Sequence, residues 1–166
     1  AQIGVSAIEQ GLAWSLHLEG GDFDTHSYNV QQASEHESFY TGLLALMDLL
    51  TTRPGAMPGN KMIDETVVAV MSEMGRTPKL NATMGKDHWP VTSAMFLGAG
   101  VGGGRALGAT DEMAGSLNVN YQTGEADPDG GQALQYGNLA AALLQACGVD
   151  SSNHLQSEPF HALCNG

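Results

Sequence analysis

A continuous run of apolar, mostly β-branched residues at Val67–Met71 restricts the possible folds of this 166-residue chain more than any other segment. Runs of this kind are typical of strands that are buried on both faces, as in a parallel sheet with helices on either side. A second run, Ala94–Leu97, predicts another strand of this kind. The alternating residues Trp14–Leu18 predict a third strand earlier in the chain.

Apolar residues at helical spacing predict helices around these strands. The first is a short helix that ends near Gly11, and the second is a long amphipathic helix over Val30–Leu50. The last helix covers Leu134–Cys147, where Gly148 stops it. Helices and strands that alternate in this way predict an α/β fold with a mostly parallel sheet flanked by helices. The chain shows no internal repeat and no linker, so we expect a single domain over residues 1–166.

The charge balance argues against two classes of partner. Six Lys and Arg residues stand against eighteen Asp and Glu residues, which gives a net charge of −12 at neutral pH. Such a surface repels nucleic-acid phosphates and anionic lipids, and no apolar stretch reaches the roughly 20 residues of a membrane helix. We therefore expect no nucleic-acid and no membrane partner. Cys147 and Cys164 allow one disulfide or two free thiols, and the location stays open, with a periplasmic or secreted one preferred.

Three polar segments adjoin the predicted strands, at the sheet edge where chemistry collects in open α/β folds. The first contains Asp22, Asp24 and His26, directly after the strand predicted at 14–18. Two carboxylates and an imidazole at this spacing suit a divalent metal such as zinc or manganese. They also suit a turn in which the aspartates cap the following helix and His26 is a surface polar group, which the spacing alone favours, so both interpretations stay open.

The second segment follows the strand at Val67–Met71 and contains Glu73 and Arg76. The planar guanidinium of Arg76 suits a phosphate or sulfate oxyanion, although a structural ion pair with Glu73 explains the two residues equally well. The third segment contains Asp87 and His88, and its imidazole is a metal-ligand candidate that its neighbours would orient. Three such segments at neighbouring strand ends together favour a metal site.

Two further patterns resemble ligand sites but lack the required context. Gly98–Gly103 fits GxGxxG, yet another loop follows it, whereas a dinucleotide-binding fingerprint opens a helix. We therefore reject a nicotinamide cofactor. The acidic residues at 125–130 begin like a calcium-binding loop, but Pro128 interrupts them. A loose calcium contact stays open there.

Five segments occur in order over residues 1–150: Asp24–His26, Thr66–Pro78, Gly85–Pro90, Gly102–Arg105 and Gly108–Asp111. Together they resemble the family labelled domain of unknown function 1501. That family is placed in the alkaline phosphatase superfamily, with sulfatases and phosphomutases. The resemblance implies a partial alkaline phosphatase-like sandwich, of which this chain is the C-terminal half.

The resemblance also implies site residues, because loops of the superfamily bind two divalent metals. For the first metal, His88 is a ligand together with Asp24 and His26. Asp22 is an alternative to Asp24, since it forms an Asp-x-x-x-His pattern with His26. The resemblance thus predicts one metal held by residues from two separate loops.

At the second metal position the chain departs from the family pattern. Glu73 stands where members carry an Asp-His pair, and the next residue is Met74, a poor ligand for hard cations. Arg76 would supply positive charge in place of that metal. The superfamily's nucleophile belongs to an N-terminal half. We therefore expect this chain to need that half or to self-associate, and not to turn over esters alone.

These features predict a metal-dependent hydrolase domain that acts on a small anionic ester, a phosphate or a sulfate. The metal, zinc or manganese with calcium as a further option, would polarise an ester oxygen and stabilise the developing charge. Arg76 would hold the oxyanion. The alternative is a non-catalytic, metal-stabilised binding or structural module, which the departure at Glu73 and Met74 allows.

Overall fold

A computed structural model describes residues 1–165 of the chain. Contacts divide the chain into two units: the first comprises Ala1–Thr66 and Met74–Thr92, and the second comprises Val67–Glu73 and the chain from Ser93 onward. In chain order, the elements are helices α1 (Gln2–Glu9) and α2 (Gln32–Thr52), strands β1 (Val67–Val70), β2 (Gly75–Arg76), β3 (His88–Trp89) and β4 (Met95–Gly98), and helix α3 (Tyr136–Ala146). Short 3-10 turns cover Asn29–Gln31, Met62–Glu65, Ser151–Asn153 and His161–Leu163.

Both sheets of the described chain are antiparallel pairs of strands. Strand β1 pairs with β4, from Val67 opposite Gly98 to Val70 opposite Met95. Strand β2 pairs with β3. The prediction of an α/β fold with a mostly parallel, alkaline phosphatase-like sandwich is therefore wrong, although the strands predicted at the two apolar runs are confirmed.

The connection between β1 and β4 explains the error in strand direction. A parallel pair needs a crossover, usually through a helix, and residues 71–94 contain the short β2–β3 pair and turns but no helix. Strand β1 is also not buried on both faces, because Ala69 is exposed and its neighbours are half-buried. An apolar run indicates that a strand is hydrophobic. It does not indicate whether the partner strand is parallel or antiparallel.

The three helix predictions are confirmed to within about two residues at each end. Gly11 and Gly148 follow α1 and α3 with φ of 69° and 74°, a left-handed conformation that glycine adopts without strain. The strand predicted at Trp14–Leu18 is wrong, since these residues form no strand and Trp14 is 98% exposed. Alternating side chains do not by themselves supply the partner that strand hydrogen bonds require.

In the first unit, α1 packs on α2 through few buried residues. Val5 of α1 and Leu50 of α2 are buried. Arg53, directly after α2, donates hydrogen bonds to Glu9 at 2.7 Å and to Ser6 at 2.9 Å, which ties the two helices together. None of the described helices combines the length and the apolar character that a membrane span needs.

The second unit contains a hydrophobic core built around α3 and the C-terminal segment. Its buried members are Val119, Tyr121, Ala142, Phe160, Ala162 and Leu163. The rings of Tyr121 and Phe160 meet edge to face with centroids 5.7 Å apart, a favourable aromatic geometry. The Tyr121 hydroxyl donates to the carbonyl of Ala133 at 2.7 Å, so its polar end is satisfied.

Phe160→Ala should lower the free energy of unfolding of the second unit by about 3 to 5 kcal/mol, because it removes a ring that is only 2% exposed and leaves a cavity. Urea denaturation measures the change. Trp14→Ala is the control: it removes a larger ring that is 98% exposed and should change stability by less than about 0.5 kcal/mol. Equal effects of the two substitutions would contradict the assignment of this core.

Candidate metal centre

The paired strands β2 and β3 place Arg76 directly opposite His88. The neighbouring pair is Gly75 and Trp89. A Cβ atom at Gly75 would lie 2.0 Å from the carbonyl oxygen of Val91, so a side chain at that position would push the backbone apart. The absence of a side chain at Gly75 therefore allows the close approach that brings Arg76 and His88 side by side.

A second segment, residues 24–29, lies against the turn that precedes β3. Lys86 donates its backbone N–H to the carbonyl of Thr25 at 3.0 Å, and Asn29 donates to the carbonyl of Met84 at 2.8 Å. At Gly85 a Cβ atom would lie 2.1 Å from the carbonyl oxygen of His26, so this contact also requires glycine. These contacts carry Asp24 and His26 to β3, about sixty residues along the chain.

The Asn81 side chain joins the two segments. Its Oδ1 accepts the backbone N–H groups of Thr83 and Gly85, both at 3.0 Å, which shapes the turn. Its Nδ2 donates to the His26 carbonyl and to Asp87 Oδ1, both at 3.0 Å. One amide therefore holds the backbone of the first segment and a carboxylate of the second.

Three donor atoms converge where these segments meet. Asp24 Oδ1 lies 3.2 Å from His26 Nε2 and 3.2 Å from His88 Nε2, and the two Nε2 atoms are 3.1 Å apart. Tetrahedral zinc with bonds of about 2.0 to 2.1 Å places its ligand atoms about 3.3 Å from one another. The donor types and their spacing therefore fit one divalent ion. Among residues 1–165, these three form the one group of His, Cys, Asp and Glu side chains with metal-ligand spacing.

All three side chains are exposed, with 47% of His26, 52% of His88 and 60% of Asp24 open to solvent. Structural zinc sites are closed by four protein ligands, whereas catalytic sites have three and leave a position for water or substrate. A metal held by these three donors alone would leave a position for water or substrate.

Asp87 determines which nitrogen of His26 faces the other two donors. Its Oδ1 lies 3.0 Å from His26 Nδ1. Because an ionised carboxylate only accepts hydrogen bonds, His26 Nδ1 donates to Asp87, and Nε2 is the nitrogen that faces Asp24 and His88. Carboxylates often orient metal-binding histidines in this way.

The hydrogen bonds of the site shift the pKa values of both carboxyl groups. The Arg76 guanidinium, followed by His88, lowers the pKa of Asp24. Hydrogen bonds from His26 and then from Asn81 lower the pKa of Asp87. Both groups are therefore ionised at neutral pH, as a metal ligand and its orienting partner must be.

Of the remaining sequence-predicted residues, Arg76 contacts this group, whereas Asp22 and Glu73 have other hydrogen-bond partners. Asp22 accepts the backbone N–H of Asp24 at 3.1 Å, which is the turn-forming role that the sequence left open. Glu73 belongs to the second unit, where its Oε2 accepts from the Ser72 hydroxyl at 3.3 Å. Arg76, at the end of β2, contacts Asp24.

Sequence reasoning missed the supporting roles of Asn81 and Asp87. A signal existed for Asn81, because Asn side chains often bond the backbone two residues further on in an Asx turn, as Asn81 does with Thr83. Asp87 precedes a candidate ligand, but its own partner is 61 residues away in the chain. Only that long-range contact gives Asp87 a role.

Comparison with protein-family models matches residues 7–155 to a family described as "Protein of unknown function (DUF1501)". Neither the curated proteins nor the solved structures contain a match to this chain.

Arg76→Gln should raise the pKa of Asp24, because the guanidinium is the main cause of its low value. A carboxylate with a lowered pKa stabilises the folded chain above its unfolded pKa, and this stabilisation is lost as the pH falls through the folded value. The substitution should therefore weaken the dependence of stability on pH in the acid range. Carboxyl ¹³C NMR titration of Asp24 measures the shift.

Arg53→Gln is the matched control for this titration, because Arg53 also pairs with a carboxylate of the first unit, that of Glu9. It should leave the Asp24 titration unchanged. An Asp24 titration that does not move in Arg76→Gln either would show that the guanidinium does not act on this carboxylate.

Proposed function

The chain belongs to the family described as protein of unknown function DUF1501, whose model matches residues 7–155, and from this premise we propose that it is a metal-dependent hydrolase domain for phosphate or sulfate esters. Asp24, His26 and His88 hold the metal, zinc or manganese, and the ester is small and anionic. The observation that carries the proposal is the spacing of 3.1 to 3.2 Å among the three donor atoms.

The relation to the alkaline phosphatase superfamily is a finer part of the proposal. Its support is the set of segments Asp24–His26, Thr66–Pro78 and Gly85–Pro90, which occur in the family order. Two of the three proposed ligands come from the first segment and one from the last, and the structure shows their donor atoms together. The support for the proposed relation to the superfamily is therefore the arrangement of the site residues and not the architecture of the sheet.

The side chains of the site would have separate roles in binding an ester. A divalent ion at this position would polarise an ester oxygen and offset the negative charge that develops on it. Arg76 lies beside the ligand Asp24, and its planar guanidinium offers donors that match two oxygens of a phosphate or sulfate. Asp87 keeps the His26 proton on Nδ1, away from the metal position.

A non-catalytic, metal-stabilised module is the second candidate. The observation that favours it is that the ligands join segments 62 to 64 residues apart, so a metal would also cross-link the first unit. Release of chromophore from phosphate and sulfate esters separates the two candidates. Because this chain is not expected to turn over esters alone, the assay uses the complete gene product. There, turnover that requires both His26 and His88 supports the hydrolase, whereas metal binding without turnover supports the module.

Removing two ligands should abolish metal binding. We expect the chain to bind about one equivalent of zinc, and His26→Ala with His88→Ala to bind none above background, because a single carboxylate is a weak zinc ligand. Isothermal titration and elemental analysis measure the content. The matched control, His17→Ala with His154→Ala, removes two exposed histidines outside the group and should keep the full equivalent. Equal zinc in both double variants would refute the metal centre.

Sulfate should protect the zinc-loaded chain against heat, since an anion that binds the folded state raises its stability. We expect the melting temperature to rise more steeply with sulfate concentration in the wild type and in Arg53→Ala than in Arg76→Ala, where only the general stabilisation by excluded sulfate is left. Chloride at matched ionic strength corrects for general salt effects. Full protection of Arg76→Ala would remove Arg76 from the proposed anion site.

A further inference from the structure

Three nitrogen atoms surround a single oxygen, Oδ1 of Asp24. His26 Nε2 and His88 Nε2 lie 3.2 Å from it, and Arg76 Nη2 is bonded to it. The oxygen that serves as the proposed metal ligand is therefore also the hydrogen-bond acceptor for the guanidinium. A metal ion at the site and Arg76 must share this one atom.

The Arg76 guanidinium is held in this position by its surroundings. Its Nη1 donates to the carbonyl of Lys86 at 3.2 Å, and its side chain is only 17% exposed. The backbone of Arg76 is paired with that of His88. Because both ends of the side chain are fixed, the guanidinium cannot move far from Asp24 when another cation approaches.

On this geometry, which rests on the proposed metal centre, we propose that Arg76 couples metal binding to oxyanion binding. A divalent ion and a guanidinium on the same oxygen repel each other, so Arg76 weakens metal binding while no anion is present. A sulfate or phosphate placed between the two cations is attracted by both and screens their repulsion. The anion then strengthens metal binding, and by linkage the metal strengthens anion binding by the same factor.

The coupling favours the state of the site in which a metal ion and an anionic ester are bound together. Without Arg76 the metal would bind tightly whether or not an anion is present. With Arg76 the fully occupied site is favoured over either partly occupied one. Arg76 thus has two roles. It holds the oxyanion, and it sets the metal affinity of the site although it contributes no ligand atom.

Zinc affinity measured by isothermal titration tests the proposal on the full chain. Four proteins are compared with and without sulfate, at constant ionic strength: wild type, Arg76→Gln, Arg76→Lys and the control Arg53→Gln. Without sulfate, Arg76→Gln should bind zinc about fivefold to tenfold more tightly than the wild type, since a nearby positive charge is gone. Arg53→Gln makes the same charge change at the Glu9 pair and should match the wild type.

With sulfate, wild type and Arg53→Gln should gain zinc affinity, whereas Arg76→Gln should gain little. Arg76→Lys keeps the charge and should resemble the wild type without sulfate, with a smaller gain on adding it. Zinc binding of equal strength in wild type and Arg76→Gln, with an equal response to sulfate, would overturn the coupling and leave the metal centre intact. Failure of wild type and Arg53→Gln to bind zinc at all would instead overturn the metal centre and the coupling with it.

Discussion

The close packing of residues 24–29 against the turn before β3 is the contact on which the candidate site depends. It needs glycine at position 85, where a Cβ atom would strike the backbone of His26, and it needs the Asn81 side chain to bond both segments. Asp24 and His26 lie on one segment and His88 on the other. The distances from His88 to the other two donor atoms are therefore set by this packing and not by local sequence spacing.

Exposure of the site determines which interactions matter there. Charges that face water interact weakly, so ion pairs among Asp24, Arg76 and the histidines contribute little to folding. Their arrangement matters instead for ligands. The chain as a whole carries a charge of −12, yet beyond a Debye length of about 10 Å that charge is largely screened. The Arg76 guanidinium can therefore interact locally with an anion although the protein as a whole is acidic.

The segment Thr66–Pro78 is one motif in the sequence, but its residues belong to two different units of the structure. It contributes β1 and Glu73 to the second unit and β2 with Arg76 to the first. In the second unit the Tyr136 hydroxyl donates to the carbonyl of Ser72, and burial, with the charge of Glu73, raises the pKa of Tyr136. Neighbours in the sequence thus have different partners: Glu73 accepts from Ser72 in the second unit, and Arg76 contacts Asp24 in the first.

The sequence by itself determined the helices, the strands at the two apolar runs, and the residue types of the candidate site, because each depends on local periodicity or on a few adjacent residues. The tertiary structure alone decided that β1 and β4 are antiparallel, that residues 14–18 form no strand, and that Asp24 rather than Asp22 joins His26 and His88. It also gave Asn81 and Asp87 their roles. All of these depend on contacts between segments distant in the chain, and such contacts leave no periodic pattern in either segment.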